Sequence, residues 1–371
     1  MTTETFDPTH QTLSEIKCRD CAAVLKFNPG TKELKCEYCG AANEIKTEAV
    51  TQVVENDYLS FLNEQFKSED LNEIATVKCQ GCGASTTLKP NVTSSDCPFC
   101  GLALVVTAVS STKQIKPKYL LPFKIDQKTS FQKFKSWLSS LWFAPSDLKK
   151  KASDPDKLHG VYIPYWTYDS NTTSAYSGER GDNYTTTETY TAVENGRSVT
   201  RTRNVTKIRW TPASGRVANK FDDVLVAASN NLPTQHVRAL EPWDLKNLEN
   251  FNENFLTGFQ TESYQLDLKN GFETAKGIMA ETITVTIKRD IGGDHQRVHQ
   301  VNTSYADITF KHILLPLWIS AFRYGNKVYR FMVNARTGEV SGERPWSVWK
   351  ITGAVLLVLA GIAAAAYFGN R

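Results

Sequence analysis

The sequence predicts a multi-domain chain: two small β ribbons built on cysteines, an α+β middle domain rich in strands, and one C-terminal transmembrane helix. Three observations carry that prediction. All eight cysteines of the 371 residues belong to one duplicated spacing. Residues 351–368 (ITGAVLLVLAGIAAAAYF) form an uninterrupted apolar run. Between these ends, segments alternating Thr, Tyr, Val and Arg are separated by turn residues, which is strand patterning.

Each ribbon follows from its spacing. Cys18-x2-Cys21 is followed after fourteen residues by Cys36-x2-Cys39, and Cys79-x2-Cys82 by Cys97-x2-Cys100 at the same interval. A C-x-x-C turn presents two sulfurs to one side of an ion, and the interval accommodates a short β-hairpin that brings a second such turn opposite the first. Zn²⁺ takes four thiolates in a tetrahedron. The pattern therefore points to two structural zinc ions, one on Cys18, Cys21, Cys36 and Cys39, the other on Cys79, Cys82, Cys97 and Cys100. The flanks repeat as well: Ile16-Lys-Cys18 matches Val77-Lys-Cys79, and Cys36-Glu-Tyr-Cys39-Gly40 matches Cys97-Pro-Phe-Cys100-Gly101. A disulfide framework is the competing explanation. It needs an oxidising compartment, and the N-terminal residues show neither the basic nor the apolar region of a signal peptide. Ribbons are expected at 14–45 and 77–108, each owing its fold to metal binding worth on the order of 10 kcal/mol or more. The connection, 46–76, reads as a helical linker. Its core, 48–74, is acidic and free of Gly and Pro, with Tyr58, Phe61, Leu62 and Phe66 at helical spacing. The apolar face of that helix is expected to pack against a ribbon.

The C-terminal run of 18 residues extends roughly 27 Å as a helix, close to the thickness of a bilayer core. Trp346 and Trp349 precede it, Lys350 abuts it and Tyr367 closes it, as interface anchors do. The span is placed at 349–368. Reduced cysteines require the long N-terminal part to stay in the cytoplasm, and Arg344 and Lys350 against Arg371 lean the same way. The expectation is a single-pass, tail-anchored protein of the cytoplasmic membrane. Gly361-x3-Ala365-x3-Gly369 lines small residues along one helix face, which admits homo- or hetero-oligomerisation through the helix.

The α+β cytoplasmic domain is assigned to 119–345. Residues 113–118 (KQIKPK) read as a linker before it, and 120–126 as a strand. A helix beginning at Ser130 stripes Phe131, Phe134, Trp137, Leu138 and Leu141 along one face and breaks at 144–147. Residues 184–193 and 197–210 read as a long hairpin about Glu194-Asn195-Gly196, and 318–324 with 327–333 as a tight one about Gly325-Asn326. Echoes within the domain point to a duplication. Tyr162-Ile-Pro164-Tyr-Trp166 recurs as Leu314-Leu-Pro316-Leu-Trp318, and Ser177-Gly-Glu-Arg180 recurs as Ser341-Gly-Glu-Arg344. A fainter echo relates 122–126 and its helix to 264–268 and 271–280, so two α+β halves would share one core.

No enzymatic motif is legible. The sequence lacks a G-x-x-x-x-G-K-[ST] phosphate loop, a G-x-S-x-G elbow and an H-E-x-x-H pair. Asp294-His295 and His299 follow Gly292-Gly293 and read as a solvated turn; His159 and His312 lie beside the two Pro-x-Trp strands and read as structural. Four-thiolate sites leave no open position for water, and no thiol remains as a nucleophile. The expectation is a protein that is not an enzyme, with no catalytic or cofactor-binding residues beyond the eight metal ligands. Charge speaks on nucleic acid. Residues 1–118 carry 12 basic and 15 acidic residues, a net −3 before each zinc-thiolate site adds −2. That leaves 31 of the 43 basic and 24 of the 39 acidic residues for the rest, a net +7. Arg197, Arg201, Arg203, Lys207 and Arg209 share one hairpin. An acidic ribbon half disfavours phosphate binding, and a basic face near a bilayer suits anionic lipid headgroups.

Paired N-terminal ribbons on these cysteine motifs, an α+β middle and a single C-terminal span together resemble a bacterial family. It comprises the double-zinc-ribbon, single-span membrane proteins associated with flotillin-like (SPFH) and phage-shock-type membrane-stress systems. Only the cysteine motifs are specific; the remainder of the resemblance is order and length. Names such as primosomal protein N′-like or TFIIB-type zinc ribbon protein attach to the same cysteine pattern, but the motor of the primosomal helicase has no counterpart here. The resemblance implies an adaptor or scaffold in the inner membrane that recruits cytosolic or membrane-associated protein partners in membrane-stress maintenance. The alternative is a membrane-tethered, replication-associated nucleic-acid-binding protein without its own motor.

Overall fold

The structure, a computed structural model, describes residues 16–47, 53–63, 71–87, 94–105, 109–146, 148, 157–194, 197–324 and 327–369. The first cysteine region folds as a three-stranded antiparallel sheet of β1 (Leu25–Phe27), β2 (Glu33–Cys36) and β3 (Ala42–Glu44). A short strand β4 (Asn56–Asp57) and helix α1 (Tyr58–Asn63) follow. The second region holds β5 (Leu71–Lys78), β6 (Ser85–Thr87), β7 (Ser94–Asp96), β8 (Ala103–Val105) and β9 (Val109–Ile115), paired as a sheet β6-β5-β9 and a hairpin β7–β8.

The middle domain runs β10 (Tyr119–Leu120), α2 (Gln127–Ser140), β11 (His159–Glu194), β12 (Arg197–Ala227), α3 (Thr234–Arg238), β13 (Glu249–Asn250), β14 (Gln260–Thr261), α4 (Leu268–Ile291), β15 (His295–Tyr324), β16 (Lys327–Asn334) and β17 (Val340–Gly342), before α5 (Val348–Gly369). Its sheet has the order β12-β11-β15-β10-β13, with β14 on β11, β4 and β16 on β15, and β17 on β16. Residues 161–168 (VYIPYWTY) are apolar or aromatic at nearly every position, so this stretch of sheet must be covered on both faces. Strand alternation sorts the contacts. Tyr162, Leu314 and Trp318 join a core with Leu25, Phe27 and Leu34 of the first ribbon and Phe134 of α2. Val161, Ile163, Ile313 and Leu315 join a core on the other face with Ala84, Phe99 and Leu104 of the second ribbon. The two ribbons therefore clamp the sheet from opposite sides.

Farther along β11, α4 covers the face that carries Trp166, Tyr168 and Tyr176, burying Phe272, Ala275, Met279, Ile283, Ile287 and Ile291 at helical spacing. Asp267 caps its start by accepting from the Asn270 N–H, as Asp126 caps α2 by accepting from the Thr129 N–H. These shared caps mark an internal two-fold pattern. Each half supplies a short strand, an Asp-capped helix and a long strand, and the short strand of each half pairs in parallel with the long strand of the other: β10 with β15, β14 with β11. The two Pro-x-Trp motifs face each other across β11 and β15, with Tyr162 opposite Pro316 and Pro164 opposite Leu314. The Ser-Gly-Glu-Arg echo does not follow this symmetry. Ser177 lies mid-sheet opposite Ser214 and Gln300, whereas Ser341 lies on a short edge strand opposite Met332.

Several expectations are corrected. The linker helix is six residues among the described ones, and Leu71–Lys78 is a strand, because residues 71–77 find a long antiparallel partner in β9. Phe66 lies outside the described residues. Tyr58 and Phe61 pack on Tyr168, Phe272 and Phe310 of the middle domain rather than on a ribbon. Of the expected linker at 113–118, residues 113–115 are the end of β9, with Ile115 buried, and only 116–118 connect it to β10. α2 starts three residues earlier than Ser130, at Gln127, directly after its Asp126 cap. The basic hairpin is the distal part of β11–β12, beyond Gly181, where β15 ends its pairing. From Ile319 to His295 the strand β15 runs roughly 80 Å. Gly342, just before α5, lies level with Phe331 and Ser320 at the near end. The cations on that hairpin therefore lie at the opposite end of the sheet from the foot of α5. Its turn at Asn195-Gly196, and that at Gly325-Asn326, lie outside the described residues.

Candidate metal centres

The eight cysteines gather in two groups of four, Cys18, Cys21, Cys36 and Cys39, and Cys79, Cys82, Cys97 and Cys100. Each group is built from two identical turns. In all four turns the first cysteine's N–H donates to the carbonyl five residues on, and its carbonyl accepts from the N–H four residues on: Cys18 with Ala23 and Ala22, Cys36 with Ala41 and Gly40, Cys79 with Ala84 and Gly83, Cys97 with Leu102 and Gly101. The fourth residue on is left-handed in every case, with φ of 57° at Ala22, 76° at Gly40, 79° at Gly83 and 69° at Gly101. Three turns use glycine there, and Ala22 is the exception that accepts the strain of a Cβ.

The sulfurs lie 3.6 Å (Cys18 to Cys39) and 3.5 Å (Cys21 to Cys36) apart in the first group, and 3.6 Å (Cys79 to Cys100) and 3.7 Å (Cys82 to Cys97) in the second. A disulfide needs about 2.05 Å, so these are four free thiols in each group. A regular tetrahedron with metal–thiolate bonds of about 2.3 Å has edges of about 3.8 Å. Both groups fit one tetrahedral metal ion each. The thiols differ in acidity. The backbone N–H of Cys39, against burial, brings Cys36 down to about 6, and the hydrogen bond with Cys97, against burial, brings Cys82 to about 5. Their partners are pushed up, Cys100 to about 11 by burial and its neighbouring thiols.

The groups differ in setting. In the first, Cys21 and Cys39 are exposed; in the second no cysteine is. Tyr38 and Phe99 occupy the same place in the second turn of each group. Tyr38 is 91% exposed, whereas Phe99 is fully buried and its carbonyl accepts from Arg330 Nε at 2.6 Å.

A further charged cluster escaped the sequence reading. Lys311, with a side chain only 3% exposed, donates from Nζ to Glu55 at 2.6 Å and meets Asp223 at 2.6 Å. Thr309 also donates to Glu55, and the Asp223 N–H donates to Asp169 at 2.8 Å. Burial and the hydrogen bond shared with Glu55 raise Asp169 to about 7. Glu55, although half-buried, is held below the usual carboxylate range by Lys311 and Thr309. The ammonium pairs with two of the three carboxylates, so the cluster is a latch between the segment before β4 and the sheet. Pairing irregularities let it form: β11 shifts register between Tyr168 and Ser170 against β12 and between Asp169 and Asn171 against β15, and Asp223 and Asp307 take φ of 53° and 50°. The signal available beforehand was a lysine between Phe310 and the apolar run 313–319 on one strand.

Of the histidines, His312 is structural as the sequence suggests, whereas His295 and His299 lie on β15 and not in a turn. His312 is buried, donates from Nδ1 to the Ile115 carbonyl at 2.8 Å, packs at a tilt against Trp166, and is lowered to about 4 by burial. His295 meets Asn183 at 3.1 Å and His299 meets Glu179 at 3.5 Å on the surface. α5 is long and apolar enough to cross a membrane: 22 residues with mean hydropathy 2.2, none of it buried.

No family model and no solved structure matches the chain. An uncharacterized protein of Bacillus subtilis (strain 168), YdjG, is 24% identical over 344 residues, covering 90% of this chain and 91% of its own. The similarity covers most of the chain, and extends to a protein whose name carries no activity.

Proposed function

We propose that this chain is a tail-anchored zinc-ribbon adaptor, which recruits a cytosolic or membrane-associated protein to the inner membrane. The setting is the flotillin-like or phage-shock-type membrane-stress systems that its cysteine pattern resembles. The ion is zinc: four thiolates in a closed tetrahedron suit Zn²⁺ and leave it no open position for catalysis. α5 is the anchor, and the ribbons, the α+β domain and the span are its successive units.

The observation that carries the reading is the inequality of two otherwise identical turns. In the second ribbon the aromatic residue of the Cys97–Cys100 turn is spent on the protein's own core. In the first the equivalent Tyr38 stands in solvent and contributes nothing to the fold. An exposed tyrosine on a metal-stiffened turn offers large, rigid, amphipathic contact area at little entropic cost, as binding hot spots do.

The test is affinity purification of full-length protein from detergent-solubilised membranes, comparing wild type with Tyr38→Ala. A partner present with wild type and absent with the variant, at equal zinc content, supports the adaptor reading; an unchanged set of partners refutes it. A second reading, nucleic-acid binding, has one observation in its favour. The register of β11 and β12 places Arg201, Arg203, Lys207 and Arg209 on the face that carries Tyr184 and Tyr190, with Arg203 5.6 Å from the Tyr190 ring and Arg209 5.0 Å from that of Tyr184. Salt-sensitive binding to DNA or RNA, lost in Arg201→Gln/Arg203→Gln, would promote it.

A further inference from the structure

Three of the eight tryptophans are exposed, and all three lie at the foot of α5: Trp142 at 81%, Trp346 at 55% and Trp349 at 88%. The sequence places Trp346 and Trp349 there. Trp142 comes from the far end of α2, two hundred residues earlier, and only the fold brings it to this place. The Ser347 N–H donates to the Phe143 carbonyl at 2.8 Å, and Lys350 Nζ donates to the Ala144 carbonyl at 2.7 Å. These two bonds tie the loop 141–146 to the first turn of α5, so Trp142 sits at the level of Lys350. An indole left in water forfeits the burial of its large apolar surface, whereas at a bilayer interface its ring is buried and its N–H stays wet. Between loop and helix lies a groove of about 520 Å³ lined by Leu138, Leu141, Pro145 and Leu148 on one side and Lys350 on the other. Ser139, Ser140 and Ser146 share its lining, so it is amphipathic, and Lys350 adds a cation.

We propose that the loop 141–146 is a second membrane-contact element, seated in the headgroup layer beside α5, and that the groove receives an anionic phospholipid. The start of an acyl chain lies against the leucines, and the phosphate meets Lys350. This rests on the reading of α5 as a membrane span. With helix and loop joined, the cytoplasmic domain meets the membrane at two points, which fixes its tilt and so the direction in which the sheet and ribbons project.

Full-length protein in vesicles of phosphatidylcholine with a minority of phosphatidylglycerol, the lipid chains brominated near the headgroup, reports contact through quenching of tryptophan emission. Trp142→Phe is expected to reduce the quenched emission by about as much as Trp349→Phe does. Placing the bromines on phosphatidylglycerol alone is expected to quench more per brominated lipid than placing them on phosphatidylcholine, and Lys350→Gln to abolish that preference. If Trp349→Phe lowers quenching and Trp142→Phe does not, the loop does not enter the interface and the inference fails while the span stands. If neither lowers it and alkaline washing removes the protein from the vesicles, the span itself is refuted. Equal quenching from both lipids overturns the headgroup site.

Discussion

Glu262 allows a quantitative test of the interior. Its side chain is almost wholly buried, and only one carboxylate oxygen is served: Oε1 accepts from Ser229 Oγ at 2.9 Å and from Asn231 Nδ2 at 2.6 Å, whereas Oε2 has no partner among the described residues. Burial raises this carboxyl from 4.5 to about 7, with the two hydrogen bonds opposing. The folded state therefore keeps its proton in a pH range where the unfolded chain has lost it. Between pH 4.5 and 7 the unfolded state binds one proton fewer, so stability falls as pH rises, by about 1.4 kcal/mol per pH unit, and levels off above pH 7. The whole loss is about 3 kcal/mol. Glutamine reproduces the protonated carboxyl, with its oxygen in the place of Oε1 and its amide in that of Oε2. Glu262→Gln should remove this slope, gaining about 3 kcal/mol on wild type between pH 4.5 and 7.5. Thermal unfolding of both proteins in the same detergent, scanned across that range, measures it, since every other titrating group cancels in the difference. A difference that stays constant with pH would show that Glu262 is ionised in the folded protein and would refute the reasoning.

Other expectations follow from individual residues. Ala22→Gly removes the one Cβ from the left-handed position that the other three cysteine turns leave to glycine, and should stabilise by about 0.5–1 kcal/mol in thermal unfolding. Lys311→Met strands the carboxylates of Glu55 and Asp223 and should cost about 3 kcal/mol, part of which Asp223→Asn in the same chain should restore. Metal analysis of the purified protein should give two zinc ions per chain, and Cys97→Ser should retain one; a strong chelator should expose the second ribbon's Phe99 and raise binding of a hydrophobic dye.

The cysteine groups were legible because metal ligation is a local code. Spacing within a turn sets where two sulfurs point, and the hairpin interval sets where the second turn arrives, so Cys18 to Cys39 and Cys79 to Cys100 assemble as the sequence implies. The apolar helix was legible for a similar reason, since eighteen consecutive apolar residues need no partner to declare themselves. The two-fold echo of the Pro-x-Trp strands was visible in outline, and the fold sharpened it: the halves exchange their short strands, which no repeat in the sequence records. The verbatim Ser-Gly-Glu-Arg repeat misled because four residues carry too little packing information to fix a place. The linker helix was overextended because residues 71–77 carry no strand signal until β9 lies beside them.

What the sequence by itself determined is chemistry carried by short-range patterns: two four-thiolate sites, one span-length helix, alternating strands and their turns. Tertiary structure alone decided which surfaces those elements keep. It turned Phe99 inward and left Tyr38 in solvent, although both stand in the same cysteine turn. It buried Lys311 among three acidic residues drawn from three separate segments, and it carried Trp142 to the foot of α5. Exposure and charge pairing depend on which distant segments cover a residue, and only the packed fold supplies those neighbours.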